Sequence, residues 1–403
     1  MRILPFLVIF LGSLALAIPL AAQDCTAPCT GYEVTTELEN DWIFAADPSF
    51  LKSDVLQPTI TVDYLLAPTD YFQMAAEIIT EPVVDLEPGE SATFERIGTY
   101  ADELYAVFEK GPALLQVGKF DTIFGLASEV LPGINADNIA SNFDADERIG
   151  AELILGFDSL GINNTIAATA FTTDRTALSG SLFFHRPRTQ LSDGGAGNTE
   201  GVSSFSIALN GCKGAEPELC YDDGDLGYRI GYRFQKAGRA IEEQIIDEVT
   251  PEDEQVDDQA PPQDDQATPQ DEQAFLAAGF AKYEFDSDAA LRLLGEAAYL
   301  RHFEGDQDDA LILTGSAALE RDNMLYIATY SLQKNITADG PDTRDYMVDL
   351  EAIYSSEEDT PIEDGNWDLG AAYTFERDAE DQEAHLFSVR LTLYYGGVWD
   401  IGK

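Results

Sequence analysis

Residue types able to make or break bonds are sparse in this chain and badly placed for it. Its 403 residues include three histidines, His185, His302 and His385. Ser181 and His185 share one side of an extended reading of Ser181-Leu182-Phe183-Phe184-His185, and they are the best nucleophile and base that can be paired. No third group is in place to orient the imidazole, which an activated serine needs. The run Asp222-Asp223-Gly224-Asp225 opens like a calcium loop but lacks the later ligands and the closing glutamate. Nucleophile elbow, phosphate-cradling glycine loop, dinucleotide fingerprint and zinc-spaced histidines are all missing. The expectation is a protein that is not an enzyme and carries no cofactor. Four cysteines stand in two close pairs, Cys25 with Cys29 and Cys212 with Cys220, with no histidine beside them. Two local disulfides in an oxidising compartment are expected ahead of a metal site.

What the sequence does offer is fixed charge. Its 74 acidic residues outweigh 23 basic ones, for a net charge of −51. That balance excludes nucleic acid, whose phosphates call for a basic face, and a polybasic attachment to membrane surfaces. At the N-terminus Met1-Arg2 precedes an apolar run from Ile3 to Leu20 closed by Ala21, Ala22 and Gln23. This reads as a cleavable export signal over residues 1–23. Beyond Asp24 no window of about eighteen apolar residues offers a spanning helix. Within 24–403 one stretch, 236–273, is out of character. There Glu242, Glu243, Asp247, Glu248, Asp257, Asp258, Asp264 and Asp265 lie among Pro, Gln and Ala. Few apolar residues and much like charge predict a disordered acidic insert.

The elements that must position the charges announce themselves by alternation with period two. Tyr228, Ile230, Tyr232 and Phe234 interleave with Arg229, Gly231, Arg233 and Gln235. Ile149, Ala151, Leu153 and Leu155 stand against Arg148, Gly150 and Glu152, and Phe387, Val389, Leu391 and Leu393 against Ser388, Arg390 and Thr392. Such segments are strands with one apolar and one polar face. They run to ten residues or more, as a tilted strand crossing a bilayer must, and aromatics such as Tyr64, Tyr283, Trp367 and Tyr395 gather at their ends. Seventeen segments can be counted, starting near Gly31, Gln57, Asp70, Thr99, Pro112, Glu147, Leu160, Thr176, Gly201, Gly224, Ala274, Ala289, Asp308, Asp322, Asp342, Gly365 and Asp381. Single-chain bacterial barrels have even strand numbers, so sixteen is expected, with Leu182 to Asn210 the least regular stretch.

The stretch from Leu114 to Gly150 carries a more particular signal. It reads Gln116-Val117-Gly118-Lys119-Phe120, then Phe124-Gly125, an excursion through Pro132-Gly133-Ile134 to Asn142-Phe143, and a return at Glu147-Arg148-Ile149-Gly150. This resembles the Gram-negative outer-membrane porins, in which a Gly-Lys-aromatic strand leads into a long third loop and the next strand restarts with Glu-Arg. The resemblance implies an all-β transmembrane antiparallel barrel whose third loop folds inward and sets acidic side chains against basic wall residues. By position, Glu129, Asp137, Asp144 and Asp146 match the acidic loop side, and Lys119 and Arg148 the wall cations. It also implies a homotrimer in outer-membrane lipid and lipopolysaccharide. Porins usually finish on a terminal aromatic, whereas this chain runs past Tyr395 and Trp399 to Lys403, and the acidic insert is a second departure.

In such a barrel the polar faces look inward. Expected inward residues include Glu33, Glu37, Asp63, Glu77, Arg148, Glu152, Arg229, Arg233, Glu296, Asp349, Glu351, Glu376 and Arg390. Acids dominate, which suits passive passage of small hydrophilic solutes and ions with a bias toward cations, and Arg229 with Arg233 could offer a local anion site. A non-conducting barrel with a structural or adhesive role, or a secreted all-β binding protein, would show the same alternation.

Overall fold

The computed structural model describes residues 26–84, 86–215, 220–239, 269–286, 289–338, 340–356 and 366–400. The expected export signal, Cys25 and most of the acidic insert, 240–268, lie outside the described residues. Eighteen strands occur in chain order: β1 Cys29–Asp47, β2 Asp54–Thr69, β3 Phe72–Pro82, β4 Ala92–Thr93, β5 Ile97–Lys110, β6 Ala113–Phe120, β7 Arg148–Ser159, β8 Ile162–Thr173, β9 Leu182–Phe183, β10 Ser204–Lys213, β11 Leu226–Gln235, β12 Glu272–Asp286, β13 Ala289–Arg301, β14 Asp309–Arg321, β15 Met324–Ile336, β16 Thr343–Ser355, β17 Asn366–Arg377 and β18 Glu383–Asp400. Setting aside the two-residue pieces β4 and β9, sixteen strands pair antiparallel with their neighbours, and β1 closes the ring by pairing with both β2 and β18.

Closure removes the open edges, and each strand satisfies its backbone donors and acceptors on its neighbours. The one weak seam is at β6, which pairs with β5 only from Leu104 to Lys110. Above it β9 pairs with Gly98 and Thr99 of β5, and Lys119 Nζ donates to the Ala101 carbonyl at 2.6 Å.

Alternation sorts the side chains as expected. Arg229, Gly231, Arg233 and Gln235 of β11 are buried while Ile230 is 55% exposed. A sheet that turns Leu350, Tyr326, Phe275 and Phe387 outward around its circumference exposes far more apolar surface than a water-soluble protein tolerates. Aromatics form two belts on that surface. Near the short-turn end lie the pairs Phe72–Phe108, Tyr354–Trp367 and Tyr32–Trp399, and near the other end Phe205–Phe234, Tyr232–Phe275 and Tyr346–Phe375. Phe275 and Tyr283, one from each end of β12, are about 27 Å apart along a strand rising ~3.4 Å per residue. Tilted by roughly 40°, that spans about 21 Å, close to the apolar band of an outer-membrane barrel.

Turns are asymmetric too. At the end where β1 begins and β18 finishes, β5–β6, β7–β8 and β14–β15 are joined at 111–112, 160–161 and 322–323. Leu160 and Gly161 both have positive φ, 57° and 75°, as a two-residue hairpin matched to strand twist requires. The opposite end carries the long connections 121–147, 174–203 and 236–271.

The expected strand near Thr176 is the one excess element. Residues 174–203 hold a helical turn at Ala177–Ser179, the two-residue β9 and a second turn at Leu191–Asp193. Gly180, Pro187 and Gly194-Gly195 interrupt any ladder there. Ser181 Oγ is occupied locally, donating to the Phe184 carbonyl at 2.6 Å and accepting from Arg186 N at 2.7 Å. The irregular stretch nonetheless ends in a true wall strand, β10, whose inner face is Ser204, Ser206, Ala208 and Asn210.

Candidate constriction site

Segment 121–147 has the composition of a core: Ile123, Phe124, Leu126, Ala127, Leu131, Ala136, Ala140, Phe143 and Ala145 are all buried. Phe124 and Phe143 meet edge to face with centroids 6.0 Å apart, and they pack on Ala274, Leu276, Ala298, Leu300 and Ile312 of β12–β14. Leu126, Leu131 and Ala140 continue onto Phe280, Leu294 and the Cys212–Cys220 disulfide. Inner-face glycines make room. A Cβ on Gly231 would sit 2.9 Å from Phe124 Cε2, and one on Gly370 3.2 Å from Ile134 Cδ1. The inner apolar residues of β12–β14 are thus covered rather than left facing water.

Polar anchors fix the same segment. Glu296 Oε2 accepts from Leu126 N at 2.7 Å and Ala127 N at 3.0 Å. Glu351 accepts from Ile134 N at 2.7 and 2.8 Å and from Asn135 N at 3.0 Å. Asn135 Nδ2 donates to Thr374 Oγ1 at 3.1 Å and Ser388 Oγ at 3.0 Å, and Thr374 Oγ1 donates to Asp349 Oδ1 at 2.7 Å. Asn142 Nδ2 reaches Gln333 Oε1 at 2.8 Å. Arg390 donates to the Gly133 carbonyl at 2.6 Å. Gly133 has φ +136°, and a Cβ there would fall 2.7 Å from Glu351 Oε1, so only glycine suits this approach.

Charge pairing follows part of the sequence expectation. Glu129 Oε1 lies 2.7 Å from Arg229 Nη1, and Arg229 also donates to the Gly125 carbonyl. Burial pushes the Glu129 carboxyl up to about 7, with Arg229 pulling the other way. Asp144 is driven well above its usual range by burial and then by Asp146, and Asp137 is raised by burial while Arg390 opposes the shift. Arg233 stacks over the Phe124 ring at 4.7 Å and pairs with Glu272 at 3.0 Å. Arg148 sits over the Phe171 ring at 5.9 Å and donates to Thr173. Glu152 is fully buried and accepts from Thr169 Oγ1 at 2.5 Å.

Lys119 stands apart from this group. Its ammonium is buried 2.9 Å from Glu147 and 3.5 Å from Asp174, where it closes the β5–β6 seam. Sequence reasoning also missed the reversed polarity of the main anchors, wall carboxylates gripping loop N–H groups. Asn135, Gln333, Thr374 and Ser388 carried no signal beyond their parity on extended segments. Of the expected disulfides Cys212–Cys220 is present, and Cys29 is disulfide-bonded.

The stretch of inner wall on β1, β2, β3 and β5 is different in kind. Glu33 is directly opposite Asp63, Asp63 opposite Glu77, and Glu77 opposite Glu103. Like charges in register repel. These four strands contain no arginine, and their single lysine, Lys110, closes β5 at its turn.

No protein-family model and no curated protein sequence matches the chain. Solved structures do. OmpTdeltaL8, a loop-deletion mutant of the outer membrane protein OmpT of Vibrio cholerae, matches with a TM-score of 0.50 at 12% identity, over 91% of this chain and 100% of that one. OprB of Pseudomonas putida matches with a TM-score of 0.51 at 6% identity, over 91% and 94%. Identities this low speak to architecture alone, and the architecture the chain shares with them is a closed, sixteen-stranded antiparallel barrel.

Proposed function

We propose that the protein is a porin-like channel of the outer membrane, exported with a cleaved leader, through which small hydrophilic solutes and ions diffuse passively with a preference for cations. The observation that carries the selectivity is the register of Glu33, Asp63, Glu77 and Glu103 across four adjacent strands without an inward cation. At sixteen strands a barrel is too wide for wall side chains alone to fill, and segment 121–147 serves as the inward third loop that narrows it against β11–β18. A row of carboxylates along one stretch of wall in the remaining passage concentrates cations and repels anions. Lipopolysaccharide contact and a homotrimer belong to the same proposal.

Planar bilayers with a tenfold KCl gradient provide the test. An ideally cation-selective pore gives about 59 mV for a tenfold activity ratio, so a reversal potential well toward that limit is expected. A potential of the opposite sign overturns the selectivity. A second reading, a closed barrel with a structural role, draws on the apolar packing of the loop against the Cys212–Cys220 turn; absence of any conductance step would favour it.

A further inference from the structure

Between the tip of segment 121–147 and the wall lies a cavity of about 250 Å³. At ~30 Å³ per water it holds roughly eight waters, or a solute of similar heavy-atom count. Three carboxylates line it, Glu37 of β1, Asp137 of the loop and Asp368 of β17. Among the described residues the one cation in its lining, Arg390, is already committed. It donates to the Gly133 carbonyl at 2.6 Å and lies 3.6 Å from Glu37. Tyr394 is likewise committed, donating its hydroxyl to Asp368 at 2.9 Å. Three negative charges against one positive leave the chamber two short, while Leu131, Pro132, Ile134 and Ile353 give it an apolar side.

From this we infer that the cavity is a residence site for a small organic cation, an ammonium or guanidinium head on a short apolar stem. The head meets Asp137 and Asp368, and the stem lies along Ile134 and Ile353. An inorganic cation satisfies the charge but leaves the apolar side wet. An anion meets three carboxylates, with Arg390 held by the Gly133 carbonyl and Glu37 and Tyr394 by Asp368. The inference rests on the lumen being reached by water, as the channel reading requires, and it deepens that reading by naming the solute class.

Calorimetry on the folded full-length protein in detergent micelles tests it, with n-butylammonium as the probe and butyrate and sodium as comparators at equal ionic strength. Saturable butylammonium binding is expected, with none for butyrate. The double variant Asp137→Asn, Asp368→Asn keeps both side-chain shapes and the acceptor for Tyr394. It should weaken binding about tenfold per carboxylate removed, near a hundredfold together. Glu320→Gln, on β14 and paired with Arg292, should leave it unchanged. Heats no larger than those of sodium, or equal affinity in the double variant, overturn the inference. Because binding is read without conductance, a silent bilayer would count against the channel and not against this site.

Discussion

Cutting the loop's central anchor gives the sharpest test of how the barrel is narrowed. In Glu351→Ala the backbone N–H groups of Ile134 and Asn135 lose a carboxylate that now accepts them at 2.7 to 3.0 Å. Hydrogen bonds to a charged partner contribute about 1.5–3 kcal/mol each, so two of them amount to roughly 3–6 kcal/mol. Lumen water takes over part of that, leaving a net loss of about 2–3 kcal/mol. At 1.4 kcal/mol per factor of ten, the undocked tip becomes about 30 to 140 times more populated. The variant should therefore show larger unitary conductance or frequent brief openings in planar bilayers, with the barrel's gel shift on boiling retained. Glu320→Ala, which removes only a wall pair with Arg292 at 3.0 Å, is the control and should behave as wild type. If Glu351→Ala yields a folded barrel whose conductance and open-channel noise match wild type, the tip does not set the passage and the reasoning fails.

Four other outcomes follow from the same geometry. Glu129 gains a proton as pH falls through about 7, leaving the Arg229 charge unpaired, so cation preference should drop between pH 8 and 6 and Glu129→Gln should abolish the step. Because that carboxyl sits above its unfolded value, the folded state favours its protonated form, and docking of the loop should weaken, not strengthen, as pH rises from about 4.5 to 7; proteolysis of the loop against pH would show the opposite trend if the sign is wrong. Lys119→Met strips the cation from Asp174 and the Ala101 carbonyl at the β5–β6 seam and leaves Glu147 with Arg186; losing one partner of a buried pair costs about 3–5 kcal/mol, and the temperature of the heat-induced band shift should fall markedly. Replacing Cys212 and Cys220 by serine opens a short loop whose closure is worth about 2.5 kcal/mol, and hydrogen exchange should rise in the packed residues around Leu126 and Leu131.

Alternation of apolar and polar residues was enough to locate nearly every wall strand and to tell which side chains meet lipid, because a strand's side-chain period of two is a local property. It misread the residues after Thr176, where the pattern persists but glycines and proline deny the ladder a partner. Charge excess, the cysteine pair at 212 and 220, and the excursion between Phe120 and Arg148 were equally legible from residues close together in the chain. Tertiary structure alone decided what those features do. The loop's anchors, Glu296, Glu351, Thr374 and Ser388, are reached across 169 to 253 residues of chain, and no local pattern encodes which inward carboxylate meets a loop N–H group. Lys119 has the motif of a wall cation, yet it shares the outward parity of Leu115 and Val117, and its buried ammonium ends at the Ala101 carbonyl of β5 between Glu147 and Asp174. Glu33, Asp63, Glu77 and Glu103 become one ladder only through register, since a shift of one residue in any pairing would break the row.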